Sequence, residues 1–237
     1  GVRLGTLIVG GLMIIEAKQP KETAAEYALR VLKENIISLD LAPGSMVSEN
    51  EIAAKLGISR TPVREALIEL SRVGIVQIMP QKGSRINLID YGMVEESRFL
   101  RLVLEREVVK LICMNEKRVD LSSLEENLRL QYFYVEHAKP EKLLELDNQF
   151  HALLFLLADK VECYGWMMEG LTIHFDRVRS MSLSAVKDIK IVNDHQAIVQ
   201  ALNDRDAELA QQLMEKHLSR YKIDEQAIRE LYPTYFC

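Results

Sequence analysis

Residues 51–70 read E-I-A-A-K-L-G-I-S-R-T-P-V-R-E-A-L-I-E-L, and this run decides the N-terminal fold. Ile52 and Leu56 precede the turn Gly57-Ile58-Ser59, which carries Ile58, and Val63, Ala66, Leu67 and Leu70 follow it, at helical spacing on each side. Gly57 stops the first helix and Ser59 is placed to cap the second, with Pro62 tolerated in its first turn. Upstream, Ser48 opens S-E-N-E, the pattern of a capping box with Glu51. Pro43-Gly44 separates this pair from an amphipathic stretch, Thr23–Ser38, whose apolar stripe is interrupted only by Asn35. Downstream, Gly74 ends the helix, and Ile75–Met79 and Ser84–Leu88 read as strands joined by Pro80-Gln81-Lys82-Gly83. The expected order is three helices and a small β-hairpin, a winged helix-turn-helix.

In such a unit the second helix of the pair enters a DNA major groove and its first residues reach base edges. Here those residues are Ser59, Arg60, Thr61 and Arg64. An arginine can donate two parallel hydrogen bonds to guanine, and hydroxyls suit phosphates or base edges. Arg60 and Arg64, four apart, project on one face. Spacing alone leaves open a plainer reading, a solvated first turn with ordinary surface arginines.

The charge distribution fits a DNA-facing N-terminal part. The chain of 237 residues has a net charge of -5, but residues 18–89 hold ten Lys/Arg against eight Asp/Glu, and residues 90–237 nineteen against twenty-six. After Asp90 the pattern turns to helices, expected at Tyr91–Asn115, Leu121–Ala138, Glu141–Leu157, Glu162–Ser182, Val186–Asn203 and Asp206–Leu231, with breaks at Lys139-Pro140, near Lys160 and around Leu183. Six helices with short connections imply an antiparallel bundle. The chain is thus expected to be mainly α, with an N-terminal extension (1–17), a winged domain (18–89) and an all-helical domain (90–237). The extension, GVRLGTLIVGGLMII followed by Glu16 and Ala17, is too short and broken to span a bilayer, and Met13 is an expected natural start. Cys113, Cys163 and Cys237 are odd in number and widely spaced, which excludes a disulfide framework and points to a reducing cytoplasm.

The helical half holds His137, His151, His174, His195 and His217. Asp147 and His151 stand one turn apart on one expected helix, a spacing that lets a carboxylate and an imidazole share a metal. His195 and His217 lie on two further helices. Spacing does not decide between a shared site and unrelated histidines. No G-x-S-x-G, P-loop or H-E-x-x-H motif is present, and no general base stands out, so an enzyme is not expected.

The run quoted above, followed by G-I-V and P-Q-K-G and preceded by the Pro-Gly of Ala42–Ser45, resembles the GntR family of bacterial regulators over about residues 23–88. The resemblance implies that Arg60 and Arg64 contact operator bases or phosphates, supported by Ser59 and Thr61. It implies that Gly83 forms the wing tip, with Lys82 near a phosphate, and that Asn50 occupies a position where some relatives carry arginine. R-L-V-L-E at Arg101–Glu105, D-N-Q-F-H at Asp147–His151 and D-H-Q-A-I-V-Q-A-L at Asp194–Leu202, with His217 beyond, resemble the FadR C-terminal-domain (FCD) class over about residues 90–225. That resemblance implies a divalent metal (zinc, nickel or manganese) held by Asp147, His151, His195 and His217. It also implies an organic-acid effector bridging metal and arginine, for which Arg101 is the candidate, with Arg177 and Arg179 as further ones. His174 is a candidate supporting residue and His137 has no assigned role. A repressor is implied. A homodimer on palindromic operator DNA is expected because each winged domain reads one half-site, and Phe99, Leu100, Val103 and Leu104 supply part of its interface or belong to the internal bundle core. Two alternatives are a metal-dependent enzyme and a regulator that binds a larger acyl ligand without metal.

Overall fold

The computed structural model describes residues 5–8, 11–137, 140–168, 172–185 and 189–237. Its first well-anchored element is fixed by a cap. Thr23 accepts from the Glu26 N–H (3.2 Å) and the Glu26 carboxylate accepts from the Thr23 N–H (2.8 Å), a reciprocal box that starts α1 (Ala24–Ile37) after the short hairpin β1 (Gly5–Ile8) and β2 (Gly11–Ile14). Tyr27, Ala28, Val31, Leu32 and Ile36 give α1 a buried face. Asn35 lies on the same face for a reason. Its side-chain oxygen accepts from the Ile14 N–H (2.6 Å) and its amide donates to the carbonyls of Ile14 and Val31 (2.7 Å each). This pins the incoming chain, so that Met13 is fully buried and Ile15 packs beside it. The end of the expected extension is therefore part of the core.

Three further strands and two helices complete this unit: β3 (Met46–Val47), α2 (Glu49–Leu56), α3 (Arg60–Arg72), β4 (Val76–Met79) and β5 (Gly83–Ile86). Gly57 ends α2 in the left-handed region (φ 66°) and its N–H returns to Ala53. Ser48 and Ser59 occupy the cap positions, but neither side chain makes a capping bond, contrary to expectation. At Ser59 one of the two usual donors is missing, because Pro62 sits at the third helical position and has no N–H to offer. The sheet is antiparallel in the order β3-β5-β4, one strand more than expected from the sequence. Gly83 (φ 100°) packs so closely that a Cβ would lie 2.7 Å from the Val47 carbonyl oxygen, which fixes glycine there.

The chain divides into two compact units: unit 1, Gly1–Val94 with Ile173–Arg177 and Tyr232–Cys237, and unit 2, Glu95–Thr172 with Val178–Leu231. The division falls a few residues after the expected 89/90 boundary, and two later segments join unit 1. The C-terminal segment pairs with Ile89, whose N–H donates to Tyr235 (2.8 Å) and whose carbonyl accepts from Cys237 (3.2 Å). Tyr91 stacks on Phe236.

The remaining helices are α4 (Tyr91–Met114), α5 (Ser122–Glu136), α6 (Pro140–Leu157), α7 (Val161–Met168), α8 (Ile173–Ala185), α9 (Ile189–Asn203), α10 (Ala207–Leu218) and α11 (Tyr221–Leu231). In unit 2, α5 packs against α6 and α9, and α9 against α10, around Leu128, Phe150, Leu154, Ile198, Leu202 and Met214. Two expected long helices are each two. Over Glu162–Ser182 the described residues form α7, ending at Met168, and α8, which begins at Ile173 and runs past the break expected at Leu183. Asp206–Leu231 breaks at Ser219-Arg220, a turn that lets Arg220 reach Asp194 on α9 (2.6 Å). The Asp206 side chain caps α10 by accepting from the Leu209 N–H. Among the described residues no helix is long and apolar enough to cross a membrane.

Candidate functional site

At the start of α3, Ser59, Arg60, Thr61 and Arg64 are all exposed. The side chains of Arg60 and Arg64 are each 66% accessible and turn toward the same acid, Glu49 at the start of α2 (3.7 and 3.4 Å). Pairs this exposed add little stability; what Glu49 supplies is a shared direction for two otherwise free guanidinium groups. Glu49 was missed in the sequence because S-E-N-E read only as a cap. Asn50 is exposed next to it, and Lys82 is exposed at the turn before Gly83. Asn50, Ser59, Arg60, Thr61, Arg64 and Lys82 are thus exposed polar residues of unit 1.

Unit 2 holds a different arrangement. Asp147 and His151 come from α6, His195 from α9 and His217 from α10, and all four are buried. One ligand-type atom from each lies within 4.8 Å of the others. His217 Nε2 stands 3.2 Å from His151 Nε2 and 3.3 Å from His195 Nε2, and His195 Nε2 is 3.4 Å from Asp147 Oδ1. Behind these atoms, His151 Nδ1 donates to Glu105 (2.5 Å) and His195 Nδ1 donates to Gln131 Oε1 (2.8 Å). The Gln131 amide donates in turn to Asn127 (2.6 Å). Carboxylate and amide oxygens only accept, so His151 and His195 carry their protons on Nδ1 and present bare Nε2 lone pairs to one another's neighbourhood. Two inward lone pairs with His217 Nε2 beside them suit either a proton shared from His217 or a cation bound by all three rings. Tetrahedral nitrogen ligands at about 2.0–2.1 Å from a zinc ion stand about 3.3–3.4 Å apart. The observed separations fit that requirement, so the cluster can hold a metal ion.

The protonation states also suit ligation, which needs neutral imidazoles and an ionised carboxylate. Burial pushes His151 down to about 4 despite the Glu105 carboxylate beside it. Burial, then the neighbouring His217, drives His195 well below its ordinary value. For Asp147, burial opposes ionisation, but Arg179 and the three imidazoles outweigh it and hold the carboxyl below the usual range. Burial likewise opposes the charge on Glu105, and Arg101 and His151 overcome it.

The arginines divide by position. Arg179 ion-pairs with Asp147 Oδ2 and donates to Asn148 Oδ1 (2.9 Å), so it touches the cluster directly. Arg101, 1% exposed, donates Nε–H to Glu105 (2.6 Å) and stands behind His151 rather than among the ligand atoms. Arg177 and His174 belong to unit 1, where Arg177 donates to the Asn87 carbonyl and His174 Nε2 donates to the Val73 carbonyl (2.8 Å each). His174 is therefore not among the groups backing the cluster. His137 is exposed and donates Nδ1–H to the Phe133 carbonyl. Glu105 and Gln131 were missed as individual residues, although R-L-V-L-E contains Glu105.

Residues 25–86 match the bacterial regulatory proteins of the gntR family, and residues 96–220 match the FCD domain. The HTH-type transcriptional repressor RspR of Escherichia coli (strain K12) is 32% identical over 220 residues, spanning 92% of this chain and 96% of RspR. Among solved structures, E. coli McbR/YncC superposes with a TM-score of 0.74 at 20% identity, covering 89% of this chain and 99% of that one. A transcriptional regulator GntR from Rhodococcus sp. RHA1 does so with a TM-score of 0.67 at 22% identity, covering 89% and 98%. At those identities the two structures speak for the fold alone. Taken with the winged unit and the helical unit, the matches place the chain in the GntR family of bacterial DNA-binding transcriptional regulators, with a winged helix-turn-helix followed by an FCD domain.

Proposed function

We propose that this regulator is a cytoplasmic repressor whose grip on operator DNA is set by an organic acid bound at a divalent metal in the FCD domain. Asn50, Ser59, Arg60, Thr61, Arg64, Lys82 and Gly83 form the DNA-facing set, one set per half-site of a palindrome. Asp147, His151, His195 and His217 hold zinc, nickel or manganese. When bound, the metal would supply a Lewis-acidic centre to which an acid's oxygen could be drawn. A repressor rather than an activator is supported by the name carried by RspR. Family membership sets the enzyme alternative aside.

The observation that carries the metal reading is that His217 Nε2 stands 3.2 and 3.3 Å from the Nε2 atoms of His151 and His195, whose protons sit on Nδ1 and whose lone pairs therefore face inward. Charge supports the acidic effector. Asp147 and Glu105 are matched by Arg179 and Arg101, so with neutral imidazoles the site is balanced before any ion arrives. A divalent cation then adds two positive charges in a buried place, and uncompensated buried charge is costly. An anion completing the shell relieves it, and Arg179 is the guanidinium nearest the ligand atoms. Arg101 enters less directly, through Glu105. A large acyl ligand without metal fits this polar, histidine-lined interior poorly.

A homodimer is supported by α4. Its inward face carries Arg101 and Glu105, while Phe99 (62% exposed) and Val103 (51%) point away on the opposite face, as a partner helix from a second copy requires. Sedimentation of the Phe99→Glu variant as a monomer, against a wild-type dimer, tests it; a wild-type monomer at micromolar concentration overturns it.

The central experiment joins metal analysis to operator binding. Protein purified without added metal or chelator is expected to carry one divalent ion per chain, and organic acids are expected to release it from promoter DNA only in the metal-loaded state. Failure to take up zinc, nickel or manganese, or release that ignores chelation, refutes the reading.

A further inference from the structure

Glu105 is buried on α4, yet neither the ligand set nor the DNA-facing set includes it. Its two oxygens are divided between two partners. Oε2 accepts the Nδ1–H of His151 at 2.5 Å and Oε1 accepts the Nε–H of Arg101 at 2.6 Å. The other imidazoles are backed differently. His195 leans on the neutral amide of Gln131, and His217 Nδ1 is 3.8 Å from Asp194, outside hydrogen-bond range. One imidazole of the three therefore has an ionised carboxylate in tight contact behind it.

We propose that Glu105 is a positioning residue for the metal, acting through His151, and that Arg101 serves by anchoring Glu105 instead of by touching the effector. The inference rests on the metal reading above. A carboxylate on Nδ1 fixes the ring with its Nε2 lone pair toward the site and makes that nitrogen a stronger donor. The bond from Arg101 restrains the carboxylate from turning into the site, where it would become a ligand itself. Glutamine at position 105 keeps the shape but withdraws the negative charge, leaving Arg101 uncompensated beside an arriving cation.

The test is cobalt(II) and zinc affinity, measured by competition with a chromophoric chelator, with neither DNA nor effector present. The Glu105→Gln variant is expected to bind about 10–100-fold more weakly than wild type. Its cobalt(II) visible bands are also expected to shift as the His151 nitrogen donates less, a change that a merely structural role would not produce. Equal affinity and identical bands in wild type and variant overturn the inference while leaving the metal reading intact. A wild type that binds neither ion refutes the metal reading itself, and this inference with it. Nitrogen NMR of the metal-free wild type decides the matter should the variant not fold: a far-downfield Nδ1 proton on His151 is expected, and a proton on Nε2 overturns the proposal.

Discussion

The two units carry their candidate functional residues in opposite ways. On unit 1 the arginines of α3 are two-thirds exposed and paired loosely with one surface acid. In unit 2 the four ligand-type residues and the two groups behind them are buried and bonded to one another. Exposed donors leave the fold nearly indifferent to their identity, so affinity for DNA can be altered without altering stability. A buried quartet offers no such separation, because whatever binds there also stabilises the fold that formed it.

The sharpest way to break this comparison is to remove the metal or one of its ligands. With free metal at a thousandfold excess over Kd, a bound ion stabilises the folded state by about 4 kcal/mol. Wild-type protein is expected to melt several degrees higher with zinc or nickel than with chelator, and the Asp147→Ala and His151→Ala variants are expected to lose that difference. Calorimetry showing the same midpoint with and without ion in wild type would dissolve the contrast between the units.

The opposite behaviour is expected of Arg64→Ala. Each well-placed bidentate contact to a base is worth about 1–3 kcal/mol of discrimination, so operator affinity falls and base preference relaxes. The melting temperature should not move, since the side chain's ion pair with Glu49 is largely solvated. Mobility shifts and a thermal melt of the same preparation check both halves. A variant that melts early while binding normally would reverse the argument.

What could be read from the sequence follows the same divide. The helix-turn-helix was legible because its chemistry is local: Gly57, Ser59, Pro62 and the apolar repeat lie within about twenty residues and act through the backbone they belong to. Even there, the short strand β3 escaped notice, because Met46–Val47 is a strand only by pairing with β5, some forty residues later. The caps show how local rules mislead when a neighbour's covalent structure intervenes, as Pro62 does for Ser59, whereas Thr23 and Glu26 formed a box that drew no attention. In unit 2, Asp147 and His151 were visible as a pair one turn apart, but their meeting with His195 and His217 depends on how α6, α9 and α10 pack, and only the family resemblance suggested it. Glu105 lies 46 residues from His151, and no periodicity links them. The break at Ser219-Arg220 carries neither glycine nor proline to announce it.

Asn35 sharpens the comparison from the side of unit 1, where a buried polar group has a purely structural task. Replacing it with alanine leaves the N–H and carbonyl of Ile14 and the carbonyl of Val31 without that partner. Each buried backbone group stranded in this way costs about 1–3 kcal/mol, reduced where water can reach it. Asn35→Ala is expected to lower stability and to speed hydrogen exchange at Ile14, with intrinsic operator affinity per folded molecule unchanged. Unaltered exchange at Ile14 would mean that Met13 and Ile15 hold the segment by packing alone.

The smallest effect expected is that of acid on His174. Burial lowers its affinity for a proton, the Val73 carbonyl on Nε2 partly offsets this, and Arg177 opposes the charge while Asp90 favours it. Among the described residues its Nδ1 has no hydrogen-bond partner. The folded chain therefore keeps His174 neutral at a pH where the unfolded chain, with an ordinary value near 6.5, has begun to protonate it. As pH falls below that value, the unfolded state binds more protons than the folded one, and stability declines until the folded residue also protonates. One such residue contributes a slope of at most about 1.4 kcal/mol per pH unit, and less here because the imidazole is only partly withdrawn from solvent. His151 and His195 add to the same slope in metal-free protein, so the informative quantity is a difference. Urea titrations between pH 7.5 and pH 5 should show a shallower decline for His174→Gln than for wild type, both freed of metal. Parallel declines would show that His174 takes its proton in the folded state as readily as in the unfolded one, and that its burial against Val73 does not govern its charge.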